Sequence, residues 1–157
     1  MNNVTTETTN RLPLIGDKAP AFKALTTTGT INFPEDYEGK WVLLFSHPSD
    51  FTSVCTTEFM TLASIQEEFD KLNVSLIGLS VDSLYSHIAW VRAIEDLEWK
   101  DMKNIKIKFP VIADLNTKVA TQPNCIFKST FSAVSMKRDK SSSSMSVNRQ
   151  RVVISCG

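Results

Sequence analysis

The chain has 157 residues, and its 17 basic side chains balance its 17 acidic ones, so the formal net charge is zero. With 42% hydrophobic residues, it is long enough to form one compact core. A neutral protein has no overall field that would attract nucleic acid or an anionic membrane, and we expect neither as a partner. A small neutral substrate fits this composition better.

The amino-terminal residues and the cysteine content bear on the cellular compartment. Residues 1–10 are polar and rich in threonine, without the basic start and apolar stretch of a signal peptide. No apolar run approaches the roughly 20 residues needed to cross a bilayer. Three cysteines are too few, and of the wrong parity, for a disulfide framework. We therefore predict a cytoplasmic protein with free thiols.

Turn-forming residues and apolar runs alternate along the first part of the chain. Residues 12–40 hold six prolines and glycines between short pieces, which predicts turns and a small hairpin around residues 27–30. We expect this segment to be a lid or an edge of the fold and not part of its core. Residues 41–47 and 74–81 are continuous apolar runs of the kind found in strands buried on both faces. Residues 109–115 predict a weaker third strand.

Two amphipathic helices are predicted between and after these strands. Apolar residues recur every three or four positions from Phe59 to Leu72, and again through residues 84–100, where Ser83 is placed as an N-cap. Strand, helix, strand, helix, strand is typical of an α/β layer with right-handed crossovers. We predict a three-layer thioredoxin-like fold with a central mixed sheet, which suits this chain length.

The composition changes after Ala120. Residues 121–157 contain nine serines and six basic residues but one acid, Asp139. Such a weakly apolar segment is typical of a poorly ordered chain, in which only residues 151–154 could form a strand. We therefore predict one domain over residues 1–120, an atypical Ser-rich basic tail over residues 121–157, and a sheet that is incomplete at the C-terminus.

The chemistry is expected in residues 47–59, where a buried strand passes into a helix. Cys55 falls in the first turn of that helix, and free backbone N–H groups together with the helix dipole favour thiolate over thiol there. The hydroxyl of Thr52 could accept from the thiol or donate to a peroxide oxygen. Pro48 fixes the approach of the chain and shields the site from water.

The spacing of Pro48, Thr52 and Cys55 resembles the active-site signature of the peroxiredoxins, and the string around it, from Ser46 to Glu58, resembles their one-Cys subfamily. This likeness extends over roughly the first three-quarters of the chain. It implies a thiol-dependent peroxidase that reduces hydrogen peroxide and organic hydroperoxides through a sulfenic acid at Cys55, with an external thiol as reductant. It also implies a homodimer, no cofactor, and a histidine, His47, near the thiol in the substrate site.

Two departures from that family pattern leave a second function open. Ser53 stands where the family usually has a second proline, which should loosen the loop. The family also has an arginine that holds the thiolate and the peroxide, and residues 121–157 offer only Arg151 as a poor match. The alternative function is therefore a non-catalytic thioredoxin-like remnant or binding module.

The remaining cysteines and histidines carry weaker predictions. Cys125 and Cys156 lack Cys-x-x-Cys spacing, so they are either incidental thiols or, in a third hypothesis, partners of Cys55 in disulfide exchange. His87 is predicted to lie at the surface of its helix. The scattered cysteines and histidines give no zinc pattern and the glycines no phosphate-binding loop, so neither a metal nor a nucleotide is implied.

Overall fold

The computed structural model describes residues 19–122 in full, together with the backbone of two later strands. Seven strands and three α-helices are found in these parts, with a short 3-10 helix at Glu35–Tyr37. The strands are β1 Phe22–Thr26, β2 Gly29–Phe33, β3 Trp41–Ser46, β4 Val74–Ser80, β5 Val111–Ala113, β6 Ser132–Arg138 and β7 Met145–Asn148. The helices are α1 Ser53–Ser64, α2 Gln66–Lys71 and α3 Leu84–Glu95.

The described strands form one mixed sheet in the order β2-β1-β5-β4-β3-β6-β7. Strands β3, β4 and β5 run parallel, and the crossovers between them contain the helices. Strands β1 and β6 pair antiparallel to β5 and β3. The sequence prediction of an α/β fold with a central mixed sheet is confirmed.

Alternation along β3 divides the core into two parts, one on each face of the sheet. Val42 and Leu44 belong to one buried cluster, while Leu43 and Phe45 belong to the other, because successive side chains of a strand point to opposite faces. The second cluster includes residues of α1 and α3, and the first includes residues of the β1–β2 hairpin. A strand buried on both faces explains the continuous apolar run in the sequence.

The predicted hairpin is present, with its turn between Thr26 and Gly29. The prediction that it lies outside the core is wrong, because Phe33 and other residues of its two strands belong to a buried core cluster. Gly29 has φ +116°, a backbone conformation that residues with a Cβ rarely adopt. The Thr26 hydroxyl donates to the Gly29 carbonyl at 2.7 Å and closes the turn. Because β2 pairs only with β1, the hairpin lies at the edge of the described sheet, as predicted.

The single helix predicted from Phe59 to Leu72 is two helices, with a break at Ile65. The hydroxyls of Thr61 and Ser64 donate to carbonyls of the preceding turn, a pattern that bends helices. The Gln66 side chain donates to the carbonyl of Lys106 and accepts from the amide of Lys108. This distant anchor fixes the start of α2 and could not be inferred from local periodicity.

Helix α3 starts as predicted, since the Ser83 hydroxyl accepts a hydrogen bond from the Ser86 amide. It ends at Glu95 instead of continuing to residue 100. The Glu95 carboxylate binds the Lys106 ammonium at 2.8 Å and the Ile107 amide at 3.2 Å, so it holds the returning chain beside the last turn. A tertiary contact therefore overrides the helical pattern of the following residues.

The segment after residue 120 corrects one sequence prediction. Strands β6 and β7 form an antiparallel pair, and every residue of β3 pairs with a residue of β6. The prediction that only residues 151–154 could be a strand is therefore wrong, because backbone hydrogen bonds to an existing strand need little apolar surface. Residues 151–154 themselves lie outside the described residues, as do Cys125, Cys156 and Arg151.

No helix in the described parts of the chain is long and apolar enough to span a membrane.

Candidate active site

Cys55 lies in the first turn of α1, as predicted, three residues after the N-cap Thr52. Its side chain is buried, with 2% of the residue exposed. The amide of Thr56 makes the first hydrogen bond of the helical series, to the carbonyl of Thr52. The N–H groups of Ser53, Val54 and Cys55 therefore precede that series, and the positive end of the helix dipole lies at the thiol.

Thr52 and Pro48 flank the thiol in sequence, and the structure adds one constraint on the hydroxyl. The Thr52 hydroxyl donates to the carbonyl of Ser49 at 3.2 Å, which leaves its oxygen able to accept a hydrogen bond from another group. The Thr52 oxygen can therefore accept a hydrogen bond from a thiol as it stands. To donate to a peroxide, the Thr52 hydroxyl would first have to break its hydrogen bond to Ser49. Pro48 is exposed and Thr52 half-buried.

His47 follows β3 and is buried beside the aromatic core. Its ring lies 4.9 Å from Phe59 and 4.8 Å from Trp90, measured between ring centroids. Nε2 lies 2.8 Å from the carboxylate of Asp50, while Nδ1 has no hydrogen-bond partner in the described part of the chain. One ring nitrogen of His47 is therefore engaged by the protein, and its predicted place in the substrate site stays a prediction.

Sequence reasoning missed a buried polar cluster around Asp50. The Asp50 carboxylate accepts from His47, from the Ser86 hydroxyl at 2.7 Å and from Nδ1 of His87 at 2.8 Å. His87 is completely buried, so its predicted surface position is wrong. The local pattern of α3 could not reveal this, because its partner carboxylate lies in the loop between β3 and α1.

The hydrogen bonds of this cluster determine the charge of Asp50. Although burial raises the pKa of the Asp50 carboxyl, the hydrogen bonds from His47, His87 and Ser86 and the charge of His87 together hold it well below its ordinary range. Asp50 is therefore an ionised carboxylate in a buried site. Its backbone N–H also donates to the carboxylate of Asp82 at 2.8 Å.

The donor atoms of His47, Asp50 and His87 lie within 4.8 Å of one another, the one such group in the described residues that could be considered for a metal ion. Each histidine nitrogen faces a carboxylate oxygen directly, at 2.8 Å, which is the distance of a charge-assisted hydrogen bond. A metal ion would have to replace the protons in those bonds. We therefore assign the group to hydrogen bonding.

An aromatic cluster lies on the helical face of the sheet, below the thiol. The ring of Phe59 contacts those of Phe45 and Trp90, at centroid distances of 5.5 and 4.5 Å. Gly78 in β4 leaves room for these rings, since a Cβ there would lie 3.3 Å from Phe59. Cys55 is packed in the same buried apolar cluster as these aromatic rings.

The arginine that the family resemblance implies is not identified among residues 19–122, the part of the chain whose side chains the structure describes. Between residues 19 and 122 the sequence has one arginine, Arg92, which lies exposed in the last turn of α3.

Comparison with known proteins identifies the family of this chain. A model of the AhpC/TSA family matches residues 15–155. The chain is 66% identical over 110 residues to a peroxiredoxin of Methanosarcina mazei, which covers 69% of the chain and 50% of that protein. It is 51% identical over 134 residues to peroxiredoxin 2 of Sulfurisphaera tokodaii, covering 83% of the chain and 61% of that protein. The chain thus spans about half to three-fifths of these relatives.

Solved structures show the same fold. The structure of a yeast mitochondrial 1-Cys peroxiredoxin superimposes with a TM-score of 0.68 at 37% identity, covering 80% of this chain and 63% of that one. Peroxiredoxin 6 of Arenicola marina superimposes with a TM-score of 0.64 at 29% identity, covering 79% of this chain and 60% of that one. The thioredoxin-like fold predicted from the sequence is confirmed. The chain belongs to the AhpC/TSA family, and the relatives it matches are peroxiredoxins.

Proposed function

We propose that this chain is a thiol-dependent peroxidase in which Cys55 attacks the peroxide. The observation that supports this most directly is the position of Cys55 at the amino end of α1, buried and preceded by free backbone N–H groups. Backbone N–H groups at the start of a helix can hydrogen-bond to a thiolate, which is the nucleophilic form of cysteine. Family membership and the spacing of Pro48, Thr52 and Cys55 point the same way.

The proposed reaction has two stages. The Cys55 thiolate attacks one peroxide oxygen, so that an S–O bond forms while the O–O bond breaks, and the departing hydroxide or alkoxide takes up a proton. The sulfur is oxidised to sulfenic acid and the peroxide is reduced to water, or to an alcohol. An external thiol then condenses with the sulfenic acid and releases water, and a second thiol reduces the mixed disulfide and restores Cys55.

The surroundings of Cys55 suggest roles for two of its neighbours. The Thr52 oxygen is placed to accept from the thiol, or to orient a peroxide after its bond to Ser49 opens. Pro48 directs the loop into the helix. The Cys55 side chain is buried, which suits hydrogen peroxide and small organic hydroperoxides. A homodimer, a cytoplasmic location and one-Cys chemistry remain predictions from the sequence.

Peroxide consumption by the purified chain, with dithiothreitol as the thiol, tests this function. The parent chain should consume hydrogen peroxide catalytically, and Cys55→Ser should lose that activity while keeping the same near-ultraviolet circular dichroism. Sulfenic acid trapping with dimedone should label Cys55 far more than Cys125 or Cys156. Equal labelling of the three cysteines, or unchanged activity in Cys55→Ser, would contradict the proposal.

A second candidate function is a non-catalytic thioredoxin-like module. The observation in its favour is that the one arginine between residues 19 and 122 is exposed on α3. A site without an arginine would lack a positive partner for the thiolate and the peroxide. This candidate predicts a folded chain whose Cys55 reacts with hydrogen peroxide no faster than free cysteine does.

A further inference from the structure

The loop between β3 and α1 is attached to three other elements through one residue, Asp50. Its amide donates to the Asp82 carboxylate after β4, and its own carboxylate accepts from Ser86 and His87 in the first turn of α3. His87 in turn reaches β5, since its Nε2 lies 3.1 Å from the carbonyl of Ile112. The side chains of Asp50 and His87 are 1% and 0% exposed.

The two contacts of His87 engage both of its ring nitrogens. A backbone carbonyl can only accept a hydrogen bond, so Nε2 carries a proton toward Ile112. Nδ1 lies 2.8 Å from the carboxylate of Asp50, so the two side chains form a buried hydrogen-bonded pair. Removing either partner would leave a buried polar group of the other without its hydrogen bond.

The backbone next to Asp50 is held in an unfavourable conformation. Phe51 has φ +59°, in the left-handed region that bulky side chains rarely occupy, and its ring is exposed. Its side chain therefore gains little burial to offset the strain, so the surrounding structure must hold the turn. The bonds of Asp50 are immediately adjacent, and the next residue, Thr52, is the N-cap of α1.

We propose that the buried Asp50–His87 pair is a positioning device for Cys55, because it fixes the turn through which the chain enters α1. It does not touch the reacting atoms. It sets the direction of the first turn of α1, and hence the position of the thiol against the free N–H groups. This inference rests on the proposed function of Cys55, and it adds two residues that the active-site motif does not include.

Asp50→Asn and His87→Gln test the proposal, since each keeps a polar side chain while altering the Asp50–His87 contact. Two quantities are measured on the full chain: the second-order rate constant of Cys55 with hydrogen peroxide, and the pH profile of Cys55 alkylation by iodoacetamide. Each variant should lower the peroxide rate constant by about 10-fold or more, as for a displaced reacting group. The alkylation midpoint should move to higher pH, since a misdirected helix end stabilises the thiolate less.

Other titratable groups near the Asp50–His87 pair could also contribute to the pH profiles of Cys55 alkylation, and their contributions must be distinguished from that of the pair. They are His47 at the end of β3, Asp82 after β4, and Asp114 after β5, whose carboxylate is bound to the amides of residues 119 and 120. The double variant Asp50→Asn/His87→Gln provides that separation. Its effect should be close to that of either single variant, because the two residues act as one unit.

Two further variants separate positioning from general loss of stability. Ile94→Val removes one methyl from a fully buried residue of the same helix, and it should leave both the rate constant and the alkylation profile within twofold of the parent. Ser86→Ala removes a single hydrogen bond to Asp50 and leaves the Asp50–His87 contact, so it should fold even where Asp50→Asn and His87→Gln do not. It should lower the peroxide rate constant and raise the alkylation midpoint by less than Asp50→Asn and His87→Gln do.

The outcomes distinguish this inference from the proposed function. Folded Asp50→Asn and His87→Gln proteins with parental rate constants and alkylation profiles would overturn the positioning role and leave the peroxidase function standing. An equal loss in Ile94→Val would overturn it as well. If the parent chain consumes no peroxide, the peroxidase function fails, and the alkylation profiles, which need no turnover, decide the positioning role.

Discussion

The indole N–H of Trp90 in α3 donates a 3.0 Å hydrogen bond to the hydroxyl oxygen of Thr56 in α1. The same hydroxyl donates to the carbonyl of Thr52 at 2.7 Å. Trp90 is almost completely buried, so this chain of two bonds ties the N-cap of the Cys55 helix to the interior of the neighbouring helix.

Trp90→Phe should lower the free energy of unfolding by about 2 kcal/mol, because it removes the indole hydrogen bond and leaves a smaller ring in a closely packed site. Urea denaturation followed by far-ultraviolet circular dichroism measures the change. Trp99→Phe is the control, since Trp99 is 37% exposed and its replacement should cost about 0.5 kcal/mol or less. Equal effects at the two tryptophans would show that the Trp90 bond contributes nothing.

Thr52→Val should slow the reaction of Cys55 with hydrogen peroxide by roughly 100-fold, as expected when one preorganised polar group is removed from an active site. Stopped-flow kinetics of the reduced protein gives the rate constant. Thr61→Val is a matched control, because the exposed Thr61 hydroxyl also donates to a backbone carbonyl, that of Thr57 at 2.8 Å. A Thr52→Val protein that reacts at the parental rate would refute the role of the hydroxyl.

Asp50 should stabilise the fold down to strongly acid pH. Its pKa is lowered in the folded state, although burial opposes this, because His47, His87 and Ser86 donate to the carboxylate. The resulting stability is present above the unfolded-state pKa of about 4 and is lost as pH falls toward the folded-state value. Asp50→Asn should therefore cost about 2 kcal/mol at pH 7, by the loss of charged hydrogen bonds.

The difference in free energy of unfolding between the parent chain and Asp50→Asn should decrease progressively below about pH 4, because the unfolded parent chain begins to bind protons there. Urea unfolding at a series of pH values measures it. Asp101→Asn, in an exposed loop, should differ from the parent by about 0.5 kcal/mol or less. A gap that stays constant down to pH 2 would be inconsistent with a lowered pKa for Asp50.

The raised pKa of Tyr37 predicts how the stability of the fold changes at alkaline pH. Burial, assisted by the charge of Asp36, raises the pKa of the Tyr37 hydroxyl to about 12. A raised folded-state pKa contributes stability that is complete below the unfolded-state value of about 10 and is lost as pH rises through the folded-state one. The parent chain should therefore lose stability between about pH 10 and 12 relative to Tyr37→Phe.

Absorbance titration checks the same group directly. The chain has two tyrosines, so the Tyr85→Phe variant leaves Tyr37 as the one phenol to titrate. Its tyrosinate absorbance should rise with a midpoint near 12 and coincide with any loss of folded signal. A midpoint near 10 in the folded variant would show that Tyr37 is not held in a desolvated site.

The parts of this fold that depend on neighbouring residues were predictable from the sequence. The apolar runs that became β3 and β4, the turn at Gly29 and the N-cap at Ser83 each have a local physical cause. The placement of Cys55 is of the same kind, since a strand followed by a helix start is visible in residue order. These predictions needed no knowledge of long-range contacts.

What could not be predicted depends on pairs that are far apart along the chain. His87 has the spacing of a half-exposed helix residue, and only the folded structure brings the Asp50 carboxylate to it. The break at Ile65 depends on Gln66 reaching the loop before β5. Strand β6 likewise owes its existence to β3, because its own sequence has too few apolar residues to indicate a strand.

Strand β3 is nearly all apolar, and β6 occupies the side of it that β4 does not. Without residues 132–138, β3 would present a row of unpaired backbone donors and acceptors on a strand of high β-propensity. An open edge of that kind is a template on which other chains can add. By pairing with β3, strand β6 of the Ser-rich, basic segment covers an edge that would otherwise be open.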